Sequence, residues 1–177
     1  MDEKVLSVDI EFNFRGDTYT FKKHVIKGEV ATIEIGEEAL SDKLFNVLCG
    51  LDKDYIGEIR DSEKLLNQTA SRHNNVLALG ARTMHYSGSV GRNVFRTLRL
   101  RSDKKTAKAQ TAQVLEMYNL DPRKRVKGLC PSEFWDFSCA RCNYREVRLV
   151  VINKCGFLCN LKVDLTKWKE CYIIQIV

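Results

Sequence analysis

Residues 139–159 read Cys139-Ala-Arg-Cys142-Asn-Tyr-Arg-Glu-Val-Arg-Leu-Val-Val-Ile-Asn-Lys-Cys155-Gly-Phe-Leu-Cys159. Two residues between thiolates let a tight turn aim both sulfurs at one ion, so a CxxC supplies half of a tetrahedral site; a CxxxC does the same through a slightly longer turn. The spacer from Arg145 to Ile152 is rich in β-branched residues and reads as a strand leading from one knuckle to the other. Four thiolates select zinc over harder ions, and with every coordination place filled by protein the ion is structural. The expectation is a zinc-supported β-hairpin with Cys139, Cys142, Cys155 and Cys159 as ligands and Zn2+ as cofactor, its binding contributing folding free energy. Cys130 or Cys171 could replace Cys155 or Cys159, and an iron–sulfur cluster uses the same residue type. Without metal, the cysteines are buried small hydrophobes in a hairpin.

Working outward, the seven cysteines stand in a chain that opens Met1-Asp2-Glu3-Lys4 and runs straight into an alternating pattern, not a signal-peptide core. That predicts an intracellular protein, in cytoplasm or nucleus, whose thiols stay reduced and favour metal over disulfides. No apolar run reaches the roughly 18 residues of a membrane span, so no membrane partner is expected.

Upstream of the cysteines the sequence predicts an α+β protein. Val8, Ile10, Phe12 and Phe14 alternate with polar residues, Arg15-Gly16-Asp17-Thr18 carries turn chemistry, and Tyr19, Phe21 and Val25 continue beyond it as a hairpin. Val30 to Ile35 reads as a third strand, completing an antiparallel β-meander. Leu40, Leu44, Val47 and Leu48 recur at helical spacing before Gly50, which predicts a short amphipathic helix with Cys49 as a packing residue. Residues 54–70 suggest a second helix, interrupted by Gly57. Val76-Leu77-Ala78-Leu79 and residues 93–101 fit strand or helix. Ser102 or Asp103 caps a helix whose apolar face is Ala107, Thr111, Val114, Leu115 and Tyr118, ended by Asn119-Leu120-Asp121-Pro122. Three segments follow: 1–75 acidic meander plus helix, 76–128 basic linker and helix, 129–177 Cys-rich module.

Charge is distributed unevenly. Residues 1–81 hold 10 Lys and Arg against 15 Asp and Glu, residues 82–127 hold 12 against 3, and residues 128–177 hold 7 against 5. Arg92, Arg96, Arg99, Arg101, Lys104, Lys105 and Lys108 form one cluster, and Arg123, Lys124, Arg125 and Lys127 a second. Grouped cations neutralise phosphates and release counterions. Lys104, Lys105 and Lys108 also crowd the first turns of a helix, where the macrodipole disfavours them unless an anion docks. Ser87-Gly88-Ser89-Val90-Gly91-Arg92 resembles the GxxG loop of a KH domain, although no other part of that pattern follows.

These features predict a non-catalytic RNA- or DNA-binding protein that contacts phosphate backbones. The alternative is a protein-interaction adaptor, or a subunit of a larger assembly, in which the acidic sheet and the basic segment bind protein surfaces. No nucleophile elbow, HExxH or Walker loop is present, and His24, His73 and His85 lie far apart without neighbouring carboxylate motifs, so an enzyme is not expected.

Overall fold

A computed structural model describes residues 5–61, 64–65, 75–80, 87–144 and 146–177. The chain forms two compact units: Met1–Thr83 with Glu146–Asn160 and Asp164–Val177, and Met84–Arg145 with Leu161–Val163.

The first unit holds two sheets. β1 (Val5–Phe14) and β2 (Asp17–Ile26) pair antiparallel from Val5↔Ile26 to Phe14↔Asp17. The connecting residues Arg15 and Gly16 both take positive φ, 54° and 95°, as a two-residue hairpin that follows the strand twist requires. β1 also pairs antiparallel with β4 (Ile56–Asp61), which pairs with β5 (Lys64–Leu65), giving the order β2-β1-β4-β5. At Gly57 (φ 107°) an added Cβ would lie 2.2 Å from the Asp9 carbonyl oxygen, so the contact of β4 with β1 needs glycine there.

The second sheet is parallel throughout. β3 (Val30–Ile33), β8 (Tyr172–Ile176), β7 (Leu149–Asn153) and β6 (Val76–Leu79) lie in that order. β7 is buried at all five positions, consistent with the continuous apolar run of a strand covered on both faces. Helix α1 (Glu38–Leu48) follows β3 and packs on β7. Its Leu40, Leu44, Phe45, Val47 and Leu48 share one core with Leu6, Val8, Ile10 and Phe12 of β1, and with Leu149, Val151, Ile174 and Ile176 of the parallel sheet.

The second unit is helical. α2 (Val90–Arg99) is capped by Ser89, α3 (Lys104–Met117) by Asp103, and α4 (Pro131–Cys142) begins at a proline. Glu133 accepts from the Cys130 backbone N–H at 2.9 Å and from Lys124 Nζ at 2.6 and 2.7 Å.

The expected fold is corrected in three places. Val30–Ile33 is no third strand of a meander, because it pairs parallel with β8, more than 130 residues away, while β4 takes the free edge of β1. Residues 56–61 are strand where a helix was expected, and the rest of 54–70 lies partly outside the described residues. Among the described residues no zinc-supported hairpin forms. Cys139 and Cys142 sit within α4, and the strand after them pairs with parallel neighbours, so the CxxC is one turn of a helix and not the turn of a hairpin.

Candidate functional site

In open α/β sheets, ligands bind in the crevice outside the carboxyl ends of the strands. Here that region comprises the β3–α1 junction, Glu34-Ile35-Gly36-Glu37, and the end of β7 at Asn153 with the turn that follows it. A run of four apolar residues carries β7 into the core and stops at Asn153, whose side chain is 2 % exposed. Such a buried amide must find partners. Its Nδ2 donates to Ser41 Oγ at 3.2 Å and to Asp42 Oδ1 at 2.9 Å, both in α1, while its Oδ1 accepts from the Cys155 N–H at 3.0 Å. Ser41, fully buried, donates onward to the Glu38 carbonyl at 2.7 Å. Both amide protons and the amide oxygen are thus engaged.

The surroundings are acidic. Glu34, Glu37 and Glu38 lie within five residues, and an added Cβ on Gly156 would come within 2.6 Å of Glu38 Oε1, which places that carboxylate over the turn after β7. Glu37 pairs with Arg15 across the exposed surface. The lysine of α1, Lys43, is committed elsewhere: its Nζ lies 2.8 Å from Asp52 Oδ2 and 3.5 Å from Asp54 Oδ2. Burial works against the Asp52 charge, but Lys43 and backbone N–H groups outweigh it and hold the carboxyl below its ordinary range. From Glu34 to Leu48 the backbone shows no positive φ, so the strand passes into the helix without the left-handed turns of an anion-cradling nest.

Of the residues singled out in the sequence, Cys155 touches this site through its backbone N–H, and most of the others fall elsewhere. Cys139 and Cys142 are buried in α4, Cys155 and Cys159 flank a short 3-10 turn after β7, Cys130 is exposed, and Cys171 is buried with its thiol donating to the Val147 carbonyl at 3.1 Å. Burial pushes the Cys171 thiol up, away from the thiolate a metal needs. Among the described residues no group of three or more His, Cys, Asp or Glu could hold a metal ion, which overturns the expected zinc cofactor. Spacing alone could not separate a knuckle from a helix turn carrying two core cysteines.

Arg92, Arg96, Arg99, Arg101, Lys104, Lys105 and Lys108 are exposed around α2 and the start of α3. Arg123, Arg125 and Lys127 are exposed, whereas Lys124 is half-buried against Glu133. The basic stretch 93–101, open to either assignment, is mostly α2. His24 lies on β2, while His73 and His85 lie outside the described residues.

No protein-family model and no curated protein sequence matches the chain. Solved structures do. CbiO1 from Clostridium perfringens, described as part of the ABC transporter complex cbiONQ, superposes with a TM-score of 0.62 at 13% identity, covering 99% of this chain and 79% of that one. A bacterial Atm1-family ABC exporter with ATP bound superposes with a TM-score of 0.65 at 13% identity, covering 100% of this chain and 35% of that one. The fold is therefore that of ABC ATPase nucleotide-binding domains. This overturns the reading as a nucleic-acid-binding protein, for which nothing beyond exposed charge speaks. It also overturns the expectation that an enzyme is excluded: that rested on missing motifs alone, and the fold is shared with these ABC transporter proteins.

ATP with Mg2+ is what this fold implies, and the described residues at the ends of β3 and β7 do not fit the pair. A P-loop needs G-x-x-x-x-G-K-[ST] between strand and helix: glycines to bring amides to the phosphates, a lysine between them, and a hydroxyl that holds Mg2+ opposite a strand-end aspartate. In no register does Gly36-Glu-Glu-Ala-Leu-Ser-Asp-Lys43 supply Gly-Lys-Ser/Thr, and the strand-end carboxylate is an amide, Asn153. The sequence reading missed Ser41, Asp42 and Asn153. The signal was present as an apolar run stopping at a polar residue, Leu149 to Asn153, and a strand–Gly36–helix junction.

Proposed function

We propose that the chain is an ABC-type cassette module that works within an ATP-driven assembly of several polypeptides, acting through its contacts with those partners. The observation that supports this reading is the match of 99% of the chain to a protein described as part of an ABC transporter complex, and of 100% of it to 35% of an ABC exporter. Partner polypeptides are accordingly its ligands, and an intracellular location is part of the reading. Among the described residues no helix is long and apolar enough to cross a membrane, so coupling to membrane transport would run through separate spans.

The test is reconstitution. The tagged full chain is captured from its own cells under cross-linking, the captured polypeptide is purified separately, and Mg-ATP turnover is measured for each alone and for the mixture. A stoichiometric complex whose turnover differs several-fold from the sum of its components is expected. Absence of a stoichiometric protein partner, or a complex with turnover equal to that sum, would overturn the reading.

A further inference from the structure

We infer that the side-chain amide of Asn153 occupies, with its two protons, the place between Ser41 and Asp42 that a divalent cation would fill, so that the strand ends are closed in this chain and do not take up Mg-ATP. This deepens the cassette reading and rests on it for the location of the site.

Three observations converge. The first is the valence of the cluster. A hydroxyl oxygen and a carboxylate oxygen on one turn of α1 face a buried group at the end of β7, and hydroxyl plus carboxylate is the donor set of a hard cation. Here both oxygens are met by N–H donors of one amide, at 3.2 and 2.9 Å, and the remaining amide oxygen is taken by the Cys155 N–H. The cluster is satisfied by protein alone. Were residue 153 an aspartate, two carboxylates would face each other, and a bound cation or a shared proton would have to relieve their repulsion.

The second observation is the charge around it. A nucleoside triphosphate is a polyanion, and it would approach through Glu34, Glu37 and Glu38, with the Glu38 carboxylate lying over Gly156 beside the cluster. Arg15 offsets Glu37 only at the exposed surface, where pairing is weak. The third is the placement of the lysine on α1. Lys43, which shares α1 with Ser41 and Asp42, is only 14% exposed and is anchored to Asp52 and Asp54. Moving it to a phosphate would strip Asp52 of its cationic partner.

The experiment compares thermal unfolding of the full chain with and without millimolar MgCl2 or Mg-ATP, alongside titration of a fluorescent ATP analogue. The wild-type midpoint is expected to be unmoved by either ligand, with no saturable, Mg2+-dependent binding of the analogue. Asn153→Asp should lower the midpoint and become Mg2+-dependent, recovering most of the loss on adding MgCl2, and the double change Asn153→Asp with Asp42→Asn should lose that response. Wild-type stabilisation by Mg-ATP, or a folded Asn153→Asp protein indifferent to Mg2+, would overturn the inference.

Should Asn153→Asp not fold even with Mg2+, nuclear magnetic resonance of the wild type decides. The Asn153 side-chain NH2 signals should exchange slowly and stay in place on adding Mg-ATP, and a shift or fast exchange counts against the closed cluster. The outcomes separate from those of reconstitution. A chain that binds Mg-ATP and also engages a partner removes only the closed site, while a chain blind to Mg-ATP with no partner removes only the assembly reading.

Discussion

Helices α1 and α3 begin in opposite ways. α3 starts in solvent: Asp103 Oδ1 accepts from the N–H groups of Lys105 and Thr106 at 2.8 and 3.1 Å, and lysines fill the first turns. α1 starts at the carboxyl end of β3, with no side-chain cap and with Glu37 and Glu38 at its head. Judged by charge, α3 is the anion site and α1 is not. Judged by place in the fold, α1 is where a phosphate would dock and α3 is an exposed surface helix. Charge at a helix N-terminus reports the local field, and only the sheet topology says whether anything is led there.

The largest effect expected from breaking this contrast is at Asn153. Asn153→Leu leaves the Asp42 carboxylate, the Ser41 hydroxyl and the Cys155 N–H without this partner in a buried place, and should cost about 2–4 kcal/mol in denaturant unfolding. A loss below about 1 kcal/mol would mean that water replaces the amide readily.

The start of α4 should show the next effect, in acid. Lys124 and the Cys130 N–H hold Glu133 from 4.5 down to about 2. A depressed carboxylate stabilises the fold above its unfolded value and loses that contribution as pH falls towards the folded one. Stability of the helical unit should therefore decline between about pH 4.5 and 2, and Glu133→Gln should flatten that part of a pH–stability curve.

Asp103→Ala should act less, because the cap is fully in solvent. A small loss of helix by circular dichroism is expected at neutral pH. The Thr106 hydroxyl and the backbone N–H groups hold Asp103 below its ordinary value, so the difference from wild type should vanish only in strong acid, as pH falls through that lowered value.

Smallest of all, Lys104→Gln with Lys105→Gln and Lys108→Gln should raise the melting midpoint by about a degree at low salt, by removing cations from the positive end of α3. A fall in stability would show that these lysines make attractive contacts that the helix surface does not reveal.

The same divide governs how much was legible beforehand. Hairpin β1–β2, helix α1 and the start of α3 at Ser102 or Asp103 could be read directly, since alternation, helical spacing and capping act between residues close in sequence. The parallel sheet could not. Val30–Ile33, Val76–Leu79, Leu149–Asn153 and Tyr172–Ile176 are short apolar runs with nothing local to say which neighbours they take, and the partner of β3 lies at the far end of the chain. Cys139 and Cys142 met the same difficulty, because a CxxC spacing serves a metal knuckle and a buried helix turn equally well.

What the sequence alone determined is the local conformations and the uneven charge, because dihedral preference, capping and side-chain periodicity are properties of neighbouring residues. Only the tertiary structure decided that Ser41 and Asp42 meet Asn153, more than a hundred residues on. A parallel sheet brings distant strand ends to one edge, and a buried amide there must satisfy its hydrogen bonds with whatever the fold places beside it.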